Sequence, residues 1–189
     1  GMLYRTEGRN KDLIAIANGG NLPSANGDDG DLNYNTGIVS NMVAATGELD
    51  LSWGNFDAFA RSVAFYDYEQ EHGNRPHRQF DGQTLDAVGS NIEMRDYFVG
   101  GQFNWAGLPV QLRIGNQVIT WGEVNFVRDG VDTINPIDLV AAFQPARERR
   151  DARTPQGMAW GVAQITETFA VEGFYQYDWQ RVRLPPPGT

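Results

Sequence analysis

The chain has 189 residues, 41% of them hydrophobic and 12% aromatic, which suits one domain of ordinary size. It has no cysteine, which excludes disulfides, thiolate metal sites and a cysteine nucleophile. Its net charge of −9, with Lys11 alone beside fourteen arginines, excludes the basic face that nucleic-acid binding needs, and no window approaches the run of about 20 apolar residues of a membrane helix.

No signal peptide is visible, and one is expected to have been removed or to lie upstream. Gly1 to Thr6 reads equally as a tag scar with a start codon or as the tail of a strand, and both ends are expected to continue into a longer protein. An oxygen-rich loop follows at Asp28, Asp29, Asp31, Asn33 and Asn35. Asp29-x-Asp31-x-Asn33 has the alternating spacing of a calcium loop. However, Tyr34 stands where an EF-hand needs Gly and Ser40 where it needs a bidentate Glu. A turn in which Asx side chains bond their own backbone is the favoured reading, with a weak divalent-ion site as the alternative.

Alternation with period two then marks strands. Thr36 to Trp53 carries Val39, Val43, Leu49, Leu51 and Trp53 on one parity and Ser40, Thr46, Glu48, Asp50 and Ser52 on the other. Gly54-Asn55 turns the chain. Phe56 to Tyr68 is less clean, because Phe59, Val63 and Phe65 share the parity of Asp57, Arg61 and Asp67. Residues 69–90 read as a polar, turn-rich loop holding His72 and His77, the only histidines, both expected to be solvated. Ile92 to Trp105 sets Tyr97, Val99, Phe103 and Trp105 against Asp96, Gln102 and Asn104, and Ala106-Gly107 makes a turn. Leu108 to Trp121 sets Val110, Leu112 and Ile114 against Gln111, Arg113 and Gln117.

Residues 122–154 form a long connection. Within it Asn135 is expected to cap a short helix with Pro136 at its first position, Asp138 in its first turn and a stripe of Ile137, Leu139, Val140 and Phe143. Arg147, Arg149, Arg150 and Arg153 follow. Thr154 to Thr166 carries Met158, Trp160 and Val162 opposite Gly157, Ala159, Gly161 and Ala163. A short turn lies near Glu167, and Thr168 to Arg181 sets Val171, Tyr175, Tyr177 and Trp179 against Glu172, Gln176 and Asp178.

The connections alternate short and long. That rhythm, with strands well beyond the usual five or six residues, predicts an all-β, antiparallel up-and-down transmembrane β-barrel with short turns on one side and long loops on the other. Aromatics at Trp53, Phe56, Phe103, Trp105 and Phe169 suit one interfacial girdle, and Tyr66, Tyr68, Trp121, Tyr177 and Trp179 the other. Six strands and the tail of a seventh fall short of the eight of the smallest bacterial barrels, so residues 1–189 are expected to be part of one barrel domain. A soluble β-sandwich is the competing architecture.

The segments Asp12–Gly20, Asn26–Tyr34, Gly115–Glu123, Ile134–Asp138 and Glu172–Trp179 resemble the N-terminal third of a large family of Gram-negative outer-membrane proteins carried as a domain of unknown function. Its members are often encoded beside exporters of the resistance-nodulation-division type or beside genes for breaking down hydrophobic compounds. The resemblance implies a barrel and a transport role for apolar molecules, and it supplies no catalytic or binding residues.

The expected function is therefore a bacterial outer-membrane channel passing or exporting small molecules, hydrophobic ones among them, with no cofactor and no enzymatic activity. Its surroundings would be outer-membrane lipid and lipopolysaccharide, and its partner an exporter or other periplasmic component. Glu48, Asp50, Arg61, Asp96, Arg113, Glu172 and Asp178 are candidates to line the lumen. Arg147, Arg149, Arg150 and Arg153 are candidates for a constricting loop, the equal alternative being a surface loop whose charges pair loosely. The alternatives are a β-sandwich binding module and a non-conducting barrel that docks an exporter.

Overall fold

A computed structural model describes residues 1–23, 30–120 and 134–189. Seven strands form one antiparallel sheet in sequence order: β1 (Met2–Arg5), β2 (Gly37–Trp53), β3 (Phe56–Asp67), β4 (Ser90–Trp105), β5 (Leu108–Gln117), β6 (Gln156–Gln164) and β7 (Ala170–Gln176). The sheet is open rather than closed into a barrel: β1 pairs only with β2, and β7 only with β6. No helix among the described residues is long and apolar enough to cross a membrane.

The predicted strands are present, and three, β5, β6 and β7, fall short of their expected spans by four residues or more. β5 stops at Gln117, because Asn135 takes over the next backbone groups. The β6–β7 connection spans 165–169, closed by Ile165 and Thr166 N–H groups donating to the Phe169 carbonyl at 2.9 and 3.0 Å. Asp178 therefore lies beyond the strand, where its carboxylate accepts from Gln180 at 3.2 Å. The 69–90 stretch is more ordered than a turn-rich loop. It holds α2 (Tyr68–His72), capped by Asp67, and α3 (Gly82–Val88), capped by Asp81; a single turn, α1 (Gly30–Asn33), precedes β2. Sequence patterning misses these helices because a five- or seven-residue helix shows too few turns for a period to emerge.

Each two-residue hairpin obtains its chain reversal from positive φ. Gly54 (φ 61°) serves β2–β3, and Ala106 (φ 53°) with Gly107 (φ 85°) serves β4–β5. Between Ala60 and Ser62 the β3–β4 register shifts: Ala60 faces Tyr97 but Ser62 faces Met94, so Arg95 and Asp96 together oppose Arg61. This bulge inverts the parity of β4. Glu93 and Arg95 join the face of Arg61, while Ile92 and Met94 go to the other.

The two faces differ in burial. One carries Val43, Leu49, Leu51, Val99, Leu112 and Ile114, all exposed. The other buries Ser40, Arg61, Asp67, Arg95, Gln117 and Gln156 beside Met42, Val63, Phe65 and Met158. The segments 134–154 and 177–189 lie across this second face and meet where Leu139 N–H donates to the Arg183 carbonyl and Arg183 N–H to that of Ile137. The buried apolar cluster is small: Ala87, Val88 and Val140, with Phe80 against it.

Candidate functional site

The charged face is organised around the 134–154 segment. Asn135, fully buried, holds both of its ends. Its Nδ2 donates to the carbonyls of Gln117 (3.1 Å) and Thr154 (3.0 Å), and its Oδ1 accepts from Ile119 N–H at 2.9 Å. The predicted cap at Asn135 is thus not formed. The helix α4 (Leu139–Phe143) begins after Asp138, whose Oδ1 accepts from Ala141 N–H at 3.0 Å. The predicted apolar stripe is only partly covered: Val140 is buried, but Ile137 and Phe143 are exposed.

Thus anchored, the segment lowers a set of charges onto the sheet. Arg61 is 2% exposed, with Nη1 at 2.7 Å from Asp151, Nε at 3.2 Å from Glu48 and Nη2 at 3.6 Å from Glu148. Arg147 reaches Glu93 at 2.6 Å and Asp151 at 3.1 Å, and its guanidinium lies 5.2 Å from the Phe65 ring centre. Arg95 approaches Asp138 at 3.4 Å and donates to the carbonyls of Asp151 and Arg153, both at 2.7 Å. Arg183 joins from the C-terminal segment, at 2.7 Å from Glu93 and 3.4 Å from Asp138. Arg150, half exposed, pairs with Glu48 and Glu148 at the rim. Five arginines therefore meet five carboxylates, so the cluster is balanced in charge, as burial of ions demands. Burial alone would push the Asp151 carboxyl up. The approach of Arg61, with the charges of Arg147 and Arg95, outweighs it and holds the carboxyl below the ordinary range.

Of the predicted residues, Glu48, Arg61, Arg147 and Arg150 belong to this network. Arg153 is tied to it through its backbone and donates to the Asn135 carbonyl at 3.3 Å, while Arg149 is exposed. Asp96 lies alongside and accepts from Val118 N–H at 3.2 Å. Asp50 is exposed on the same face, paired with Phe59. Pattern reading misses Glu93, Arg95, Asp138, Glu148, Asp151 and Arg183. The signal for Glu93 and Arg95 is the phase slip at Arg95-Asp96, two charges in succession where alternation allows one.

Further toward the short turns the face changes character. Arg113 lies between two aromatic rings, 5.1 Å from the centres of both Phe98 and Trp160. Phe98 stacks on Phe59 at 5.4 Å, and the Trp160 indole N–H donates to Glu172. The register assigns Met158, Trp160 and Val162 to this face and leaves the small residues of β6 on the other.

The acidic loop is occupied otherwise. Asp31 pairs with Arg5 and accepts from Asn10 N–H at 2.9 Å. Asn33, fully buried, donates to the carbonyls of Gly188 (2.9 Å) and Arg78 (3.1 Å) and accepts from the N–H groups of His77 and Arg78. These two side chains tie chain segments together. Asp29 lies outside the described residues, as does Trp121. Among the described residues no group of three His, Cys, Asp or Glu side chains is placed to hold a metal. His72 is exposed, stacked at 4.8 Å on Tyr68, and His77 is exposed.

No curated protein and no solved structure is significantly similar to the chain. The model of one family, described as a protein of unknown function (DUF1302), matches residues 1–189, and the chain belongs to that family.

Proposed function

We propose that this chain is a wall of an outer-membrane β-barrel that passes small molecules, hydrophobic ones among them, with the charged face toward the lumen and the 134–154 segment as its constriction. The observation that carries the reading is the inverted burial. Large apolar side chains are exposed on one whole face, while arginines and carboxylates are buried on the other. A protein surrounded by water rarely exposes a contiguous apolar patch of more than a few hundred Å². A barrel strand in lipid needs that arrangement. A β-sandwich would cover the apolar face with a second sheet, and among the described residues that face carries none.

Strand length and loop rhythm support the same reading. β2 and β4 have 17 and 16 residues, more than the roughly 9–11 that cross a bilayer. Exposed Trp53, Phe56 and Trp105 gather at the short-turn end, and exposed Tyr66, Tyr68, Tyr177 and Trp179 at the other.

The test is the full-length protein in detergent and in a planar bilayer. The expected results are heat-modifiable migration and discrete conductance steps. A full-length protein that stays monodisperse without detergent overturns the reading. A second reading is favoured by the two segments laid over the charged face: a barrel whose lumen is plugged and which docks an exporter. Heat-modifiable migration without conductance selects it.

A further inference from the structure

Arg113 stands apart from the other arginines of the charged face. Arg61, Arg95, Arg147, Arg150 and Arg183 each have a carboxylate partner. Arg113 has none within ion-pair distance among the described residues, and its Nε is buried without a hydrogen-bond partner. It is held by aromatic faces instead, Phe98 on one side and Trp160 on the other. The wall is cleared to permit this. Gly100 is the β4 partner of Arg113, and a Cβ there would stand 3.1 Å from Arg113 Cγ and 2.9 Å from the Leu112 carbonyl oxygen. Gly115 (φ 144°) is the β4–β5 partner of Phe98, and a Cβ there would stand 2.3 Å from the Tyr97 carbonyl oxygen and 2.8 Å from Phe98 Cβ. Two glycines thus let the arginine stem and the Phe98 side chain lie against the sheet.

We infer that Arg113, framed by Phe98 and Trp160, is a binding subsite for a small organic anion with a flat apolar body, an arylcarboxylate being the simplest member. The inference rests on the charged face being the lumen. Rings along the guanidinium leave its Nη edge for hydrogen bonding, and that edge matches a carboxylate with two parallel N–H···O bonds. The ring of the ligand then continues the aromatic shelf of Trp160, Phe98 and Phe59. A chain of net charge −9 does not attract anions generally, so the selectivity is local to this position. Two carboxylates adjoin the site: Asp57, whose Oδ2 would lie 2.8 Å from a Cβ at Gly100, and Glu172, which accepts from the Trp160 indole N–H. Their charge tempers the affinity, which suits a solute that must leave again.

The test is calorimetry on detergent-solubilised full-length protein with benzoate, benzyl alcohol and acetate. Benzoate is expected to bind at least about tenfold tighter than the neutral ring or the ringless anion, in keeping with one charge-assisted hydrogen-bonded pair. Arg113→Gln should remove the preference for benzoate over benzyl alcohol, and Trp160→Leu should narrow that over acetate. Equal binding of benzoate and benzyl alcohol to the unaltered protein overturns the subsite and requires no variant to fold. So does a benzoate preference that persists in a heat-modifiable Arg113→Gln protein. Binding does not require conductance, so the two readings fail separately. A conducting pore without the benzoate preference loses the subsite alone, and a binding but non-conducting barrel loses the channel alone.

Discussion

The two faces of the sheet are made by the same strands, yet they are held in place by different physics. On the apolar face, Leu49, Val99 and Ile114 bury little against each other or against anything else among the described residues. On the charged face, the 134–154 segment is attached by ion pairs and side-chain-to-backbone bonds, and the buried apolar cluster of Ala87, Val88 and Val140 is too small to do it. Solvent preference and internal cohesion are thus separable in one strand. Alternation decides which side is apolar and exposed, and Arg–carboxylate pairing decides what folds over the opposite side.

Taken as a whole residue, Arg61 is the charged face's most buried arginine anchor. Arg61→Ala takes from buried Asp151 one of the two arginines it faces and leaves only Arg147, and removing one partner of a buried pair costs about 3–5 kcal/mol. The expected outcome is release of the 134–154 segment, read as protease cleavage between Gln144 and Arg153 in the membrane-inserted protein, with the strands still protected. Arg150→Ala is the control. Arg150 is 51% exposed, and such rim pairs contribute about 0–1 kcal/mol. Equal effects from the two substitutions would sink the idea that buried ion pairs hold the segment.

The apolar face is tested by moving a charge along one strand. Val99 and Gln102 of β4 lie on opposite faces. Val99→Arg should cost about 2–4 kcal/mol near the bilayer midplane, read as loss of the heat-modifiable folded form in liposome-insertion assays. Gln102→Arg should change it by no more than about 0.5 kcal/mol. The same loss from both would remove the lipid-facing assignment.

The order of strands and the alternation of short and long connections were legible because both depend on local chemistry: period-two patterning and turn residues such as Gly54-Asn55. The face of Glu93 and Arg95 was not, because the bulge opposite Arg61 changes parity within β4, and a strict period carried through it assigns those two charges to the wrong side. The partners of Arg61 were illegible for another reason. Asp151 is 90 positions away in the chain and arrives by tertiary docking, which leaves no periodic trace. Asn135 shows the same limit in reverse. Its sequence context suits a helix cap, but the bonds it makes to Gln117, Ile119 and Thr154 satisfy more buried backbone groups than a cap would.

Both faces finish at the short-turn end of the sheet, where β4 turns into β5. Ala106 is the one non-glycine residue with positive φ among those described, in a turn whose two central residues both need it. A left-handed conformation costs an ordinary L-residue about 1–2 kcal/mol, and asparagine much less, because its short side chain bonds the local backbone. Ala106→Asn should therefore stabilise the full-length protein by about 1 kcal/mol, read as a higher urea midpoint with unchanged slope. Ala106→Gly should gain less, because glycine also gives the unfolded chain more freedom to lose. If asparagine lowered the midpoint, Ala106 would not be left-handed in the folded protein. The closure of this turn would then rest on Asn104, whose Oδ1 accepts from Gly107 N–H at 2.9 Å, and not on backbone conformation.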